Sequence, residues 1–565
     1  MNFIPIEPRH RGDVVLTVNG LKPKDFNSTI SFDLRKGEIL GVAGLMGAGR
    51  TEIMRAIFGI DKHDGGEIIL NGKHLHFKKP EDAIKAGIAF ITEDRKGEGL
   101  ILDFSIGKNI TLPNLGQVCP NHVLNSNKLV DFADNLSKRL GVKTQSVHLP
   151  ASSLSGGNQQ KVVIAKWIGL SPSIIIMDEP TRGIDIGAKR DIYDLMNELT
   201  SQGVSIIMVS SELPEVIGMS DRVMVIHERS RCRYTKPQRR FTGSHHEPSN
   251  RRTIMNQNIT ETLKKLGPLI GLIALFIIIA FMNDSFLEFS NLRNLLRQVS
   301  INAIIAFGMT FVILTSGIDL SVGSILALSS AIMANFIVGG MNPEVAILAS
   351  AGVGIILGGI NGIVIAYGKV APFIATLATM TIYRGATLVF TDGNPISGLT
   401  SDPLFHGFGQ GDIAGLPVPA ITMFVSFLIL WFVLQKTSLG RQTYAVGGSE
   451  KVSYIAGIKI NRVKIFAYAL TGMLSAIAGA IITSRLNSAQ PTAGMGYELD
   501  AIAAVVLGGT SLAGGRGHIV GTLIGALIIG TLNNGLNILD VSSFYQQIVK
   551  GIVILLAVLG DRKKA

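Results

Sequence analysis

Apolar residues are distributed very differently in the two halves of this 565-residue chain. Up to about residue 228, charged and apolar residues mix over short distances, as in soluble proteins that pack helices against a β-sheet. From about Gly267 to Gly560, apolar stretches of membrane-spanning length recur between short polar breaks. The pattern predicts an α/β domain followed by an all-α, polytopic membrane domain of about ten transmembrane helices. The predicted spans are 267–283, 299–315, 321–340, 344–366, 371–390, 418–435, 464–484, 498–512, 518–538 and 545–560, of which 498–512 is short enough to be tilted or re-entrant.

A glycine-rich turn follows a strongly apolar strand in the stretch GEILGVAGLMGAGRT, which ends at Thr51. Glycine lets successive backbone N–H groups converge on phosphate oxygens, and the helix that follows adds its positive end. The spacing is that of a P-loop, with Thr51 where a hydroxyl group would bind Mg²⁺. We therefore expect ATP and Mg²⁺ as cofactors. The phosphate-binding candidates are Gly44, Gly47, Ala48, Gly49, Arg50 and Thr51.

A second motif, SLSGGNQQKVVIAKWIGLSPSIIIMDEP, covers residues 153–180. Its first half resembles the signature motif of ABC-transporter ATPases, and its second half is an apolar strand that ends in Asp178 and Glu179, as in a Walker B element. The resemblance implies an α/β P-loop ABC ATPase fold, with Asp178 as a ligand of Mg²⁺ and Glu179 as the base that activates water. It also implies that a partner's nucleotide would contact Ser155, Gly156, Gly157, Asn158, Gln159 and Asp185.

Three positions depart from the pattern of that family. Arg50 replaces the P-loop lysine, Glu93 replaces the Q-loop glutamine, and Ser211 replaces the switch histidine. Arginine is bulkier and more planar than lysine, and serine has no ring nitrogen to offer to the γ-phosphate. We predict that this domain binds ATP at its own Walker site, hydrolyses it poorly, and completes a competent site on a partner. The alternative is that the replacements are tolerated and both sites turn over.

Longer motifs indicate a resemblance to one group within that family. The series GLMGAGRTE, EDRKGEGL, LSGGNQQK, DEPTRGID and VSSELPEV, within residues 13–228, closely resembles the second ATPase domain of bacterial ribose-type sugar ABC importers. The strings TSGIDLSVGS, APFIATLATMTIYRG and NNGLN, within residues 255–565, resemble the permease subunit of the same importers. We therefore divide the chain into an ATPase domain (1–228), a junction (229–254) and a permease domain (255–565).

The resemblance implies an ATP-driven importer of ribose or a related monosaccharide, with the sugar selected mainly by a separate protein. The implied partners are a second ABC ATPase domain with an intact Walker site, a second permease copy, a periplasmic sugar-binding protein and the lipid bilayer. An exporter or lipid flippase is disfavoured, because exporters usually place the membrane domain first. A cytoplasmic loop of the permease would dock the ATPase through a short helix. Its candidate residues are Gly448, Glu450 and Gly457.

The junction 229–254 is unlike either neighbour. It holds eight Lys or Arg residues against one acid, Glu247, and has no apolar period, so we expect it to be disordered. Three interpretations stay open: a polybasic segment that binds anionic lipid headgroups, a plain linker, or a frameshift that fuses two adjacent genes with Met255 as the former start of the permease. Under the last interpretation, the fused chain would transport nothing on its own.

Polar residues at membrane depth are costly unless they are paired or face water, so they are the candidates for the substrate path. For Asp319 the simpler alternative is that its carboxylate caps a helix start. The candidates are Asp319, Asn361, Arg384, Glu498 and Asp500, with Asn533, Asn534 and Asn537 as further polar residues.

Charge predicts the orientation. The loop 436–464 holds six Lys or Arg residues and the tail holds three, whereas 391–417 holds Asp392, Asp402 and Asp412 without any basic residue. By the positive-inside rule, the first loop, the tail and the ATPase domain are cytoplasmic in a bacterial inner membrane. With two cysteines in the chain, neither a disulfide framework nor a zinc site is indicated. The net charge of +11 lies in loops and tails, so we expect no nucleic-acid binding.

Overall fold

The computed structural model describes residues 12–45, 47–227, 230–235 and 258–562. The chain divides into two compact units. Unit 1 comprises Met1–Arg251 and Ser449–Ile458, and unit 2 comprises Arg252–Gly448 and Lys459–Ala565.

Unit 1 is an α/β structure built on two sheets. Its strands are β1 (Val14–Pro23), β2 (Ile30–Arg35), β3 (Ile39–Gly44), β4 (His63–Leu70), β5 (Lys73–Leu75), β6 (Ile88–Ile91), β7 (Ile174–Asp178), β8 (Ser205–Val209), β9 (Arg222–His227) and β10 (Ser230–Thr235). Its first helices are α1 (Arg50–Ile57), α2 (Pro80–Lys85), α3 (Ile106–Thr111), α4 (Leu115–Val118), α5 (Ser126–Arg139), α6 (Gly156–Ile168), α7 (Ile186–Ser201) and α8 (Leu213–Met219), with irregular helical turns at Arg95–Gly99 and Ala151–Ser153.

The larger sheet positions the site. Its strand order is β10-β9-β3-β8-β7-β6, and the pairs β9–β3, β3–β8, β8–β7 and β7–β6 are parallel. Strands β7 and β8 are buried along their whole length, which explains their unbroken apolar sequences. Because the strands are parallel, the carboxyl ends of β3, β7 and β8 meet at one edge, where ligands bind in open α/β sheets. The smaller sheet, β2-β1-β4-β5, is antiparallel.

The first part of the junction is ordered, so our expectation of disorder from residue 229 onward is wrong for this part. Ser230–Thr235 forms β10, which pairs antiparallel with β9. Backbone hydrogen bonds to the exposed edge of β9 place this segment in the sheet although its sequence has no apolar alternation. The rest of the junction, residue 229 and residues 236–254, lies outside the described residues, as do residues 1–11, Met46 and the tail residues Lys563 and Lys564.

Unit 2 is helical. Its helices and the helix between its two segments are α9 (Asn258–Met282), α10 (Phe289–Leu314), α11 (Val322–Val338), α12 (Pro343–Gly368), α13 (Pro372–Thr391), α14 (Pro403–Gln410), α15 (Val418–Lys436), α16 (Ser438–Gly448), α17 (Glu450–Ile455), α18 (Ile460–Leu486), α19 (Tyr497–Leu507), α20 (Ile519–Ile538) and α21 (Ser543–Arg562), with a helical turn at Asp284–Leu287. Two short hairpins complete it: β11 (Ile396–Ser397) with β14 (Ser488–Ala489), and β12 (Asp412–Ile413) with β13 (Leu416–Pro417).

Each of the ten predicted apolar segments corresponds to a helix. Within the described residues, six helices are long and apolar enough to cross a membrane: α10, α12, α13, α15, α18 and α20. Gly267–Met282 and α11 are shorter apolar helices. The segment predicted at 498–512 forms α19, which has only 11 residues, in keeping with its expected shortness.

Close backbone packing joins α12 to α18 in the core of unit 2. A methyl group on Gly354 would lie 2.3 Å from the carbonyl oxygen of Gly472, and one on Gly358 would lie 2.2 Å from the carbonyl oxygen of Tyr468. Replacing either glycine with any other residue would therefore push the two helices apart. The glycine-rich sequence of α12 is explained by this contact, since small residues allow helices to approach closely in a bilayer.

Helix α17 belongs to unit 1 by its packing. Ile455 is 3% exposed and is part of the main hydrophobic core of unit 1. Ser449 caps the helix by accepting a hydrogen bond from the backbone N–H of Val452 at 3.3 Å. Gly457 follows with φ +81°, and a methyl group there would lie 3.1 Å from Ile84 Cδ1.

Candidate nucleotide-binding site

The P-loop connects β3 to α1 and requires its glycines. Gly47 and Gly49 have φ values of +80° and +94°, a region that strongly favours glycine. Gly49 also lies beneath an aromatic ring, because a methyl group on it would be 2.2 Å from Phe26 Cζ. Ala48 closes the turn through a 3.0 Å hydrogen bond from its N–H to the carbonyl oxygen of Leu45. The turn therefore brings Gly44, Gly47, Ala48 and Gly49 directly before the N-terminus of α1, where phosphate groups bind.

The two replacing residues Arg50 and Ser211 both contact Glu179. Arg50 is the first residue of α1, and its Nη2 lies 3.4 Å from Glu179 Oε1. The Ser211 hydroxyl donates to Glu179 Oε2 at 3.1 Å. Both oxygens of this carboxylate are therefore engaged within the protein. We call Arg50, Glu179 and Ser211 the Glu179 cluster.

The other end of the Arg50 guanidinium is also fixed. Its Nη1 donates to the carbonyl oxygen of Ser210 at 2.7 Å. The Ser210 side chain in turn donates to Glu215, which also accepts from the Thr181 hydroxyl at 2.8 Å. Glu215 is only 2% exposed, so its two hydroxyl donors satisfy a buried carboxylate. The network holds Arg50 between the ends of β7 and β8.

Burial governs the ionisation of the two adjacent carboxyl groups. Burial raises the pKa of Asp178 to about 6, while the Thr51 hydroxyl and Arg50 act in the opposite direction. Burial also raises the pKa of Glu179, and Ser211 and Arg50 partly offset it. Apart from the Thr51 hydroxyl, no hydrogen-bond donor of the described residues reaches the oxygens of Asp178, in contrast to Glu179.

This arrangement fits Mg²⁺. A buried carboxylate beside a threonine hydroxyl is a hard oxygen donor set of the kind that Mg²⁺ accepts together with nucleotide phosphates. Asp178 and Thr51 are the residues that would hold the ion. Within the described residues, no group of three or more His, Cys, Asp or Glu side chains could hold a metal ion.

Glu93 pairs with Arg182 and does not reach the Glu179 cluster through any hydrogen bond of the described residues. Arg95 fixes the same loop by donating to the carbonyl oxygens of Arg182 at 2.9 Å and Gly183 at 3.2 Å. The position that normally carries the Q-loop amide is therefore occupied by an ion pair.

The signature residues form the beginning of α6. Ser155 is the exposed N-cap, and its side chain makes no capping hydrogen bond to the helix. Asn158 donates to Ser155 Oγ at 3.0 Å and accepts from the Lys143 N–H at 2.8 Å. Gln159 anchors the turn by donating to the carbonyl oxygens of Ala151 and Leu154.

The start of α7 lies beside this turn. A methyl group on Gly157 would be 2.7 Å from Ala188 Cβ, so glycine is required for the two helix starts to approach. Asp185 caps α7 by accepting from the Ala188 N–H at 3.2 Å. No hydrogen bond of the described residues joins Ser155–Gln159 to the P-loop of the same domain.

The polar candidates of unit 2 form three separate groups. Asp319 and Asn361 are joined through Ser321, which donates to Asp319 and accepts from Asn361 at 2.8 Å. Ser321 N also donates to Asp319 at 2.9 Å, directly before α11. The N-cap of α11 is Ser321 and has no side-chain capping hydrogen bond, so the carboxylate fixes the connection before the helix and does not cap the helix itself. The other two groups contain Arg384 with Glu498, and Asp500.

Arg384 and Glu498 both contact the non-helical segment before α19. Arg384 Nη1 donates to the carbonyl oxygens of Pro491 at 2.7 Å and Ala493 at 3.0 Å, and Glu498 Oε1 accepts from the Gly496 N–H at 3.2 Å. Irregular backbone in a membrane domain needs such partners. Arg384 therefore supports this segment directly.

Asp500 accepts from Lys550 Nζ at 3.2 Å and from Asn302 at 3.4 Å, so it is part of an ion pair between α19 and α21. Of the three asparagines in α20, Asn534 exchanges two hydrogen bonds with Asn291, Asn537 accepts from Gln546, and Asn533 Oδ1 is buried without a partner.

Two family models match the chain. Residues 28–182 match the ABC transporter model, and residues 291–558 match the model described as branched-chain amino acid transport system / permease component. The chain is 67% identical over 303 residues to the ribose import permease protein RbsC of Bacillus subtilis (strain 168), which corresponds to 54% of this chain and 94% of that protein. It is 54% identical over 298 residues to RbsC of Escherichia coli (strain K12), covering 52% of this chain and 93% of that protein. The chain belongs to the family of ribose-type ABC importers.

The ATPase part of this ribose-type importer chain is similar to a different group of proteins. It is 63% identical over 217 residues to the ribose import ATP-binding protein RbsA of Oceanobacillus iheyensis, which corresponds to 38% of this chain but only 44% of that protein. The chain thus spans less than half the length of its ATP-binding relatives. A crystal structure of a nucleotide-free ATP-binding cassette from an ABC transporter is 20% identical, with 38% of this chain and 89% of that chain covered and a TM-score of 0.33.

Sequence reasoning missed several residues of this importer chain that the structure places at the candidate sites. Phe26 lies against the P-loop, Glu215 holds the Arg50 network, and Lys550 pairs with Asp500. A lone phenylalanine, a glutamate in a short helix and a lysine near the chain end give no local signal. Only Lys550 could have been found from the sequence, because a lysine in an otherwise apolar helix is costly in a membrane unless it is paired.

Proposed function

We propose that this chain is the ATPase-and-permease component of a bacterial importer that uses ATP to move ribose or a related monosaccharide across the inner membrane. Both halves are similar to components of ribose import systems, and the multi-pass membrane part has a basic loop next to α17. By the positive-inside rule this loop and the ATPase domain are cytoplasmic. The required partners are a second permease copy, a sugar-binding protein outside and a conventional ABC ATPase domain.

The Glu179 cluster supports the proposal that this ATPase domain and the conventional one differ in ATP hydrolysis. A base that activates water must be basic and free to turn toward it, and the contacts from Arg50 and Ser211 stabilise the ionised form of Glu179 and fix its position. ATP with Mg²⁺ would bind at the P-loop, Thr51 and Asp178 but turn over slowly. The signature turn begins α6 with an exposed Ser155 and no side-chain cap, and it would complete the site of the conventional domain.

Mg²⁺, when bound, neutralises phosphate charge and polarises the phosphoryl group. The chain's own groups would position the nucleotide around it. Asp178 and Thr51 hold the ion, the P-loop N–H groups hold the phosphates, and Ser155 with Gly156 and Gly157 presents a helix N-terminus to the partner's γ-phosphate.

Helix α17 is the proposed coupling element. Gly448, Glu450 and Gly457 bracket a short helix whose Ile455 is buried in the core of unit 1. Closure of two ATPase domains around nucleotide would displace this helix and shift the permease between outward-open and inward-open states.

The test is reconstitution of the whole chain in liposomes. ¹⁴C-ribose uptake and ATP turnover would be measured for the chain alone, with a separately produced conventional ATPase domain of a ribose-type importer, and with a ribose-binding protein in addition. We expect ribose uptake only when all three are present. The chain alone should hydrolyse ATP at no more than about a hundredth of the rate of the full mixture, a ratio typical for losing one set of transition-state contacts.

Two outcomes would contradict the proposal. If the chain alone hydrolysed ATP as fast as the full mixture, the Glu179 cluster would not impair its site. If the full mixture bound nucleotide but took up no ribose, the chain would be the inactive fusion that the junction suggested, an alternative that neither comparison favours.

A further inference from the structure

A fully buried polar cluster lies where α10 is connected to α11 in unit 2. The connecting residues 315–321 contain Asp319, which is 0% exposed. Its Oδ1 accepts from the Ser321 N–H at 2.9 Å and from the Ser321 hydroxyl at 2.6 Å. Ser321 Oγ in turn accepts from Asn361 Nδ2 of α12 at 2.8 Å. One oxygen of the carboxyl group is therefore well satisfied.

The remaining polar atoms of the cluster are unsatisfied. Asp319 Oδ2, Asn361 Oδ1 and Tyr468 Oη of α18 are all buried without a hydrogen-bond partner. Tyr468 belongs to the same cluster, because a methyl group on Gly317 of the connection would lie 2.4 Å from its hydroxyl oxygen. Buried polar atoms are nearly always paired, so three orphaned atoms in one cluster indicate a missing hydrogen or ligand.

No basic side chain compensates Asp319 within the described residues. The titratable groups that face it are Tyr468 of α18 and Tyr383 of α13, and both phenols are neutral near pH 7. Tyr383 donates to the carbonyl oxygen of Leu357 at 3.0 Å, and α12 contributes the neutral Asn361. An isolated carboxylate in such surroundings is very costly and takes up a proton instead.

We propose that Asp319, with Asn361 and Tyr468, is a proton-binding site in the membrane unit. One proton adds to Oδ2 of the carboxylate and no other bond changes. The neutral carboxyl group then has an O–H donor for an unsatisfied acceptor such as Asn361 Oδ1, and the Tyr468 hydroxyl can act as a donor or as an acceptor in the same cluster. The bound proton seats the α10–α11 connection against α12 and α18.

The α10–α11 connection also contacts the segments around Gly447 and Ala513 of unit 2. Ser316 donates to the carbonyl oxygens of Ala513 at 2.8 Å and Gly447 at 3.4 Å. Gly447 directly precedes the residues that lead into α17. This inference rests on the proposed function. If the transport cycle moves α17, the α10–α11 connection would move with it through the contact of Ser316 with Gly447. The bound proton would therefore stabilise one transport state.

The test is difference infrared spectroscopy of the full-length chain in liposomes, which does not depend on transport. We expect a C=O stretching band of a protonated carboxyl group at pH 6, where carboxyl groups in water are mostly ionised, and its loss in Asp319→Asn. Asp392→Asn, a matched change at an exposed aspartate, should leave the band unchanged. Asn361→Ala, which retains Asp319, should shift the band because the hydrogen bonding of the carboxyl group changes.

Three outcomes overturn the proposal. Identical bands in the chain with Asp319 and in Asp319→Asn would show that Asp319 is ionised. A wild-type band absent at pH 6 would show the same without any variant. A thermal-stability difference between NaCl and KCl that Asp319→Asn abolishes would assign the site to a metal cation. Ribose uptake by Asp319→Asn within about twofold of the wild type, with a larger loss in Asp319→Ala, would further support a neutral carboxyl group.

Discussion

The Walker face and the signature face of the ATPase domain differ in where their polar groups are directed. On the Walker face, Arg50 and Ser211 both contact Glu179. On the signature face, Ser155 is exposed and the first turn of α6 has no side-chain cap. A site whose donors are engaged inside the protein must break those contacts before it serves a substrate. We propose that one ABC fold can be weakened on its Walker face and still serve a partner's nucleotide on its signature face.

Asp178 and Glu179 show the same contrast within two adjacent residues. Asp178 is buried beside the Thr51 hydroxyl, whereas each oxygen of Glu179 has a donor from Arg50 or Ser211. We propose that the first carboxylate holds a cation and that the second is weakened as a base. Nucleotide binding should survive where hydrolysis is weak.

The largest effect should come from blocking the signature face with Ser155→Arg. The larger, charged side chain would occupy the space in front of the exposed N-terminus of α6, where the partner's phosphate is proposed to bind. We expect ATP turnover of the mixture with the conventional ATPase domain to fall by about 100-fold, the scale of losing preorganised donors. Turnover is measured by phosphate release.

Ser153→Arg is the matched control, since Ser153 is also exposed and lies two residues earlier, outside α6. It should leave turnover of the mixture nearly unchanged. A small effect of Ser155→Arg, with the chain still in the complex, would mean that this face does not serve a partner's nucleotide.

Restoring the family residues on the Walker face should produce a gain. In Arg50→Lys with Glu93→Gln and Ser211→His, the contacts to both oxygens of Glu179 are removed and a ring nitrogen is added. We expect ATP turnover by the chain alone to rise about tenfold or more, because a positioned acid or base typically contributes ~10²-fold or more. Steady-state phosphate release measures it.

The control adds Glu179→Gln to the triple variant, which should abolish the gain. If the triple variant bound nucleotide normally without any gain, the Glu179 cluster would not be the cause of slow turnover.

The contrast between the faces also shows what the sequence could and could not predict. The P-loop and the helix starts were predictable because glycine positions and apolar runs dictate the local backbone. The three replaced residues were recognisable by position. Their mutual contacts were not, since Arg50 meets Ser210 and Glu179 only after β3, β7 and β8 are aligned.

In unit 2, the ten apolar segments predicted the helices because hydrophobic length is a local property. Partners of the polar residues come from distant segments, as for Asp500 with Lys550 or Arg384 with Pro491, so spacing could not reveal them. The strand β10 was missed because its basic sequence has no apolar period, and only the edge of β9 orders it.

A smaller effect is expected on nucleotide affinity when the pH is lowered through the pKa of Asp178. Asp178 must lose its proton to hold Mg²⁺, and burial raises its pKa to about 6. Affinity for a fluorescent ATP analogue with Mg²⁺ should therefore be constant above pH 7 and fall by about tenfold between pH 7 and pH 5. Because the phosphates also take up protons in this range, Asp178→Asn is the control and should show a shallower fall. Equal slopes would exclude Asp178 as the ion's ligand.

The smallest effect should come from Glu179→Gln in the complete mixture. In a site where this carboxylate activates water, its loss lowers turnover by ~10²-fold or more. Here Arg50 and Ser211 already engage both oxygens, and glutamine can keep accepting from at least one of them. We expect turnover to stay within about twofold of the wild type. The same change in the conventional ATPase domain, made in parallel, should abolish turnover. If both changes were equally damaging, the two Walker faces would work alike, and the contrast between the faces of this domain would have no functional meaning.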